Sequence, residues 1–500
     1  MTNPDLEGYN LVFSKIDIYG LFGMYDYENL TFKTKDGILI LFGLNGLGKT
    51  TILKLIHQFK EGELEAIANI NFKKISIVFD ITPNNTKLEN TIKTEIEKFG
   101  EKQVRFTFYL TDSIEPTLTI DLVKNENVRI RQMNYYDSRT KMYEYFLHRK
   151  QLEDMRKKRN QLAHNVSKSD RYLTYNLMKE LEYLDKKMLQ FDGDLWFETP
   201  SKTKRSIKKL KEKRESIEKI RSAFKCHYIS AQRLDLSLIK GKEEIKDIKS
   251  VIELKSKNLI SKIQENLKEY TKISQTQDKD LVERIIDSID LSKEFSHNVI
   301  KKKLIELGKI QEAYKLAGLD TSEVSKKIGL LSALKKSRDW GEEKSQILYR
   351  ILNEVIISDG EKKLSVFENL FHRIALFQDI INNHLSKNKK FEVNHIKGFR
   401  VENISNNEEI DIELLSSGEK HLIILFYELI FDIQPYTLVM IDEPEISLHV
   451  DWQVKFIKNL LKIKNSDVKD LNNIQFILAT HSPQIVHNRK DLTHELNLEK

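Results

Sequence analysis

Three short runs carry residue types at spacings suited to phosphate chemistry. The first, Gly43-Leu-Asn45-Gly46-Leu-Gly48-Lys49-Thr50 with Thr51 behind it, fits G-x-x-x-x-G-K-T. It lies between an apolar strand ending at Phe42 and a helical run through Ile52, Leu53, Leu55 and Ile56. Its glycines let the backbone wrap an anion closely, so that successive N–H groups and the helix N-terminus face phosphate oxygens. Lys49 then reaches the outer phosphates, and Thr50 can ligate magnesium. The second run, Asp442-Glu443, ends the apolar stretch 437–441. One carboxylate at a strand end can hold Mg2+ directly or through water, and the next can take a proton from an attacking water. The third, Leu415-Ser416-Ser417-Gly418-Glu419-Lys420, opens a helix over 421–431 and offers hydroxyls and free N–H groups to a γ-phosphate. A nucleotide with Mg2+ is the expected ligand.

The elements that would position these runs are short strands near both ends of the chain. Residues 37–42, 75–79, 104–109, 438–441 and 475–478 are β-branched or aromatic and bounded by turn formers, as strands are. None of the seven prolines falls between Pro200 and Pro435. That middle, dense in Lys, Glu, Leu and Ile, predicts a run of helices. The expected divisions are a lobe over 1–133, a helical hairpin over 134–225, a return strand in 226–240, a helical region over 241–400 and a second lobe over 401–500. The class is α/β, with the two ends forming one core around a large helical insertion.

Composition narrows the setting. At 500 residues the chain exceeds the roughly 250 that a single core usually holds. Charged residues make up 31%, and no apolar run approaches the about 18 residues of a membrane span, so an integral membrane protein is excluded. The N-terminus lacks a signal-peptide pattern, and one cysteine, Cys226, can form no internal disulfide, so a reducing cytoplasm is the expected home. The net charge of +7 is smaller than the surplus in residues 202–225, which carry eleven Lys or Arg against three Glu. That run reads first as a solvated helix face and second as a site for phosphates or an acidic partner.

Taken in order, 43–50, 415–420, Asp442 with Glu443, and Ala479-Thr480-His481-Ser482-Pro483 resemble the Walker A, signature, Walker B and switch-histidine motifs of ABC-type ATPases. The resemblance implies ATP and Mg2+ as cofactors and a homodimer of heads. Ser416, Ser417, Gly418 and Glu419 would act in trans on the partner's nucleotide, and His481 would meet the γ-phosphate. Residues 228–234 look like the strand before a Q-loop, which would make Gln232 a metal-side or water-side residue; the alternative is a core strand edge with an incidental glutamine. Residues 16–23 fit the N-terminal strand of such heads. Tyr19 there reads as a structural tyrosine, with an approach to adenine as the alternative.

Departures from transporter heads narrow the branch. Glu-Lys follows the signature glycine, His449 replaces the usual D-loop aspartate, and some 365 residues separate phosphate loop and signature. These features resemble the OLD-like and RecF-like ATPases of the AAA_15 and AAA_21 group. With nineteen residues after His481, no nuclease domain is expected in the chain. The resemblance points to stand-alone ATPases of anti-phage systems, such as PARIS, Septu and retron-associated ATPases, each paired with a separate effector nuclease or toxin. A phage protein or nucleic acid would be the trigger. The alternatives are a repair ATPase that clamps DNA directly and a transporter motor, against which the insertion argues. Arg159-Asn160-x-x-x-His164 matches a HEPN ribonuclease spacing, but in a Lys/Arg-rich stretch it reads as a solvated helix face.

Overall fold

The computed structural model describes residues 10–82, 91–98, 103–110, 118–125, 129–133, 220–232, 234, 250–289, 293–316 and 334–496. They fall into two compact units, one of Met1–Tyr228, Tyr436–Glu443 and Ile474–Lys500, the other of Ile229–Pro435 and Pro444–Asn473. Most of the expected hairpin, the Arg159 to His164 run and the basic run up to residue 219 lie outside the described residues.

The strands, in chain order, are β1 (Asn10–Leu21), β2 (Tyr25–Thr31), β3 (Ile38–Phe42), β4 (Lys74–Thr82), β5 (Thr91–Lys98), β6 (Gln103–Leu110), β7 (Leu118–Asn125), β8 (Arg129–Met133) and β9 (Cys226–Ile229). They continue with β10 (Lys389–Asn394), β11 (Gly398–Asn403), β12 (Glu408–Ile410), β13 (Leu438–Asp442), β14 (Gln475–Thr480) and β15 (Thr493–Glu495). In the first unit, seven form an antiparallel sheet in the order β2-β1-β4-β5-β6-β7-β8. The second sheet runs β15-β3-β14-β13-β9, with β15, β3, β14 and β13 paired in parallel. The two chain ends therefore share one sheet, and the class is α/β as expected.

Parallel strands are covered on both faces and read as continuous apolar runs. Ile38, Leu39, Ile40 and Leu41 are all buried, as is every residue of β13. One face, made of Leu39, Leu41, Leu438, Met440, Ile477 and Ala479, joins the same hydrophobic cluster as Ile52, Leu53, Leu55, Ile56 and Phe59 of the helix Lys49–Glu61. Each Leu, Ile, Met or Phe side chain among these contributes about 1.5–3 kcal/mol on burial. Gly62, at φ +74°, ends that helix in the left-handed conformation that glycine takes freely. The register pairs Asp442 with Ala479 and Thr480 with Phe42, so β3, β13 and β14 all end at one edge of the sheet.

The second unit is mainly helical: Val251–Lys279, Leu281–Ile289, His297–Leu316, Glu342–Arg350, Ser358–Asn382, Ser417–Tyr427 and Val450–Lys464. Its core includes Phe377, with ring centroids 5.2 Å from Phe391, 5.7 Å from Phe399 and 5.5 Å from Phe431. The stretch expected to be helical up to residue 400 ends instead in β10 and β11, part of a three-stranded antiparallel sheet. Their pattern has period two: Phe391, Val393, Phe399 and Val401 are buried, while Lys390, Glu392, Arg400 and Glu402 alternate with them. The helix expected over 421–431 is α-helical to Tyr427 and continues as a π-helical stretch, Glu428–Asp432. No described helix is long and apolar enough to cross a membrane.

Candidate functional site

The loop after β3 is shaped by its glycines. Gly46 and Gly48 adopt φ +89° and +83°, and a side chain at Gly48 would meet Leu21 at 2.6 Å. A Cβ at Gly43 would stand 2.7 Å from the Leu496 carbonyl. Tyr27 pins the loop from outside, donating to the Leu47 carbonyl at 2.6 Å. Lys49 is only 5% exposed, and its ammonium donates to the Gly43 and Leu44 carbonyls at 2.8 Å each. It therefore lies folded over the loop that a phosphate would fill. Asn45 lies in the same loop, and Thr51 follows Thr50 in the first turn of the helix Lys49–Glu61.

Thr50 donates its hydroxyl to Asp442 Oδ1 at 2.8 Å, joining residues 392 apart in sequence. Tyr228, on β9, donates its phenol to Asp442 Oδ2 at 3.2 Å. Burial, reinforced by the charges of Asp442 and Glu443, holds that phenol well above its ordinary pKa, so it stays protonated and serves as a donor. Asp442 itself is 5% exposed. A threonine hydroxyl and a carboxylate are hard oxygen donors, and Mg2+ beside phosphates commonly uses only one or two protein oxygens. The pair fits that ion. Among the described residues, no group of three or more His, Cys, Asp or Glu could hold a metal by itself.

Glu443 occupies a left-handed backbone conformation, φ +43°, held by its N–H to the Ala479 carbonyl at 2.8 Å. For a residue other than glycine such a conformation costs about 1–3 kcal/mol and tends to occur at functional sites. The bend turns Glu443 away from the buried path of β13, leaving its side chain 28% exposed with Oε1 3.9 Å from His481 Nδ1. At that separation the two face a shared space without a direct hydrogen bond. Ser482 caps the short helix Pro483–Val486 and fixes the backbone just after His481.

The second unit holds the other predicted residues. Ser416 and Ser417 are exposed at the start of the helix Ser417–Tyr427. Ser416 and Glu419 form a capping box: Glu419 N–H donates to Ser416 Oγ at 3.3 Å, and Ser416 N–H to Glu419 Oε2 at 3.0 Å. Burial opposes the charge on Glu419, but Lys389 at 2.8 Å and the Ser416 donors outweigh it and hold the carboxyl below its usual pKa. Glu419 thus faces inward as part of the helix start. The S-x-x-E spacing was the signal for this in the sequence.

Gly418 lies against the backbone at Ser447, where an added Cβ would come within 2.4 Å of a carbonyl oxygen. Gly418→Ala is expected to destabilise the protein by about 1–3 kcal/mol, the range for overpacking. A urea midpoint equal to wild type would contradict this. His449 caps the helix Val450–Lys464, accepting from Asp451 N–H at 3.3 Å. Gln232 is exposed in the turn after β9. Tyr19 is half-buried. Tyr228 and His57, which stacks on it, were not singled out from sequence, because nothing local marks them.

The sequence matches the AAA_21 family, described as "AAA domain, putative AbiEii toxin, Type IV TA system", over residues 38–487. It is 31% identical over 130 residues to "Retron Vc95 probable ATPase" of Vibrio cholerae serotype O1 biovar El Tor, covering 24% of each chain. It is 32% identical over 93 residues to "Retron Ec83 probable ATPase" of Escherichia coli, covering 16% of each. The matched stretches thus span a quarter or less of these relatives. Among solved structures, an SmcHead bound to the C-winged helix domain of ScpA aligns with 95% of this chain and 91% of its own, at 12% identity and a TM-score of 0.32. With the family covering most of its length, the chain belongs to the AAA_21 family of P-loop ATPases.

Proposed function

We propose that the chain binds Mg2+–ATP on the loop 43–51, hydrolyses it, and uses nucleotide-gated pairing of two heads to control a separate effector nuclease or toxin in anti-phage defence. The observation that carries the catalytic part is the Thr50 to Asp442 hydrogen bond at 2.8 Å. It brings the phosphate-loop helix and the carboxylate strand together at the carboxyl ends of parallel strands, where ligands of α/β sheets bind.

In this reading Lys49 leaves its two carbonyl partners for the outer phosphates, and loop N–H groups cradle the rest. Glu443 takes the proton of the attacking water, and His481 meets the γ-phosphate. Thr50 and Asp442 would hold Mg2+, with Gln232 a further candidate ligand, and the ion would supply charge neutralisation for the phosphates. Ser416, Ser417 and Gly418 serve the partner's nucleotide. The retron names of the two relatives and the toxin-system description of the family support the effector part.

Co-expression with the product of the neighbouring gene tests it, with phage plaque counts as readout. Protection that Lys49→Ala abolishes is expected. No protection, with ATP-dependent and salt-sensitive DNA binding by the chain alone, would overturn the defence reading in favour of a DNA clamp.

A further inference from the structure

Asp442 is held by more than Thr50. One hydroxyl donates to each of its carboxylate oxygens, Thr50 to Oδ1 at 2.8 Å and Tyr228 to Oδ2 at 3.2 Å. The terminal torsion of an aspartate is broad when left to itself. Two donors on opposite oxygens fix the plane of the group, and with it the direction of any lone pair offered to a metal or its water.

The phenol is itself fixed by packing. His57 stacks on the Tyr228 ring, with centroids 5.5 Å apart and planes 28° apart. His57 follows Thr50 by seven residues on the helix Lys49–Glu61, a spacing that returns to the same helix face. Its Nδ1 is buried with no hydrogen-bond partner among the described residues, so the ring engages by its face. One face of the phosphate-loop helix thus sets both donors, Thr50 directly and Tyr228 through His57.

We infer that Tyr228 is a positioning residue for the metal-side carboxylate Asp442, so that metal affinity of the nucleotide complex depends on a phenol outside the phosphate loop. This rests on the nucleotide-site reading given above. Groups that orient metal-side ligands typically matter by 10–100-fold in metal affinity or activity.

Tyr228→Phe removes the hydroxyl and keeps the ring against His57. In the full chain with a non-hydrolysable ATP analogue, Mn2+ titrated by electron paramagnetic resonance reads metal affinity without turnover. The expected result is a Kd for Mn2+ raised about 10-fold or more, with analogue affinity in EDTA and the thermal midpoint near wild type. Mn2+ affinity equal to wild type in the variant would overturn the role of Tyr228 while leaving the nucleotide site standing. A lowered thermal midpoint with unchanged Mn2+ affinity would likewise reduce Tyr228 to a packing residue. Wild-type protein that binds neither analogue nor Mn2+ would overturn the nucleotide site itself.

Discussion

Glu443→Gln is expected to slow ATP turnover by about 10²–10⁴-fold, the usual weight of a positioned general base, while ATP binding persists. The change removes the proton acceptor and keeps the size of the side chain. Glu443 has no part in the hydrophobic core, and its backbone is anchored by the Ala479 carbonyl whatever the side chain. Folding should therefore be spared. Steady-state phosphate release, with nucleotide affinity by calorimetry, separates the two effects. Turnover equal to wild type would remove Glu443 from the chemistry, and loss of binding would make it a ligand-contact residue instead.

Lys49→Ala should do the opposite, weakening ATP binding by about 100-fold. A hydrogen bond to a charged group contributes about 1.5–3 kcal/mol, and about 2.7 kcal/mol corresponds to a factor of 100. The ammonium has two carbonyl partners at 2.8 Å, which offset part of the gain on phosphate contact. The loop itself should survive, since Gly46 and Gly48 keep their left-handed backbone and Tyr27 still holds the Leu47 carbonyl. Calorimetric titration with ATP checks it, and affinity within threefold of wild type would contradict the account.

The phosphate loop and the carboxylate pair were legible in sequence because their determinants are local. Glycines at fixed offsets, a lysine and threonine opening a helix, and acids ending an apolar run each follow from short-range rules. The strands β3, β13 and β14 were legible because burial on both faces leaves unbroken apolar runs. The absence of proline does not distinguish helix from the strands β10 and β11; their signal is the alternation of Phe391, Val393, Phe399 and Val401. The Glu419 capping box is written in the S-x-x-E spacing of 416–419. Tyr228 and His57 were invisible for a different reason. They lie 171 residues apart, and only the fold stacks the rings and aims the phenol at Asp442.

The most direct test is a structure of the Glu443→Gln variant of the full chain with Mg2+ and ATP. The account predicts phosphates seated on the backbone N–H groups of 46–51, Lys49 turned from the Gly43 and Leu44 carbonyls to the outer phosphates, and Mg2+ touching Thr50 Oγ1. Nucleotide bound elsewhere, or Lys49 still on its two carbonyls with ATP present, would contradict it.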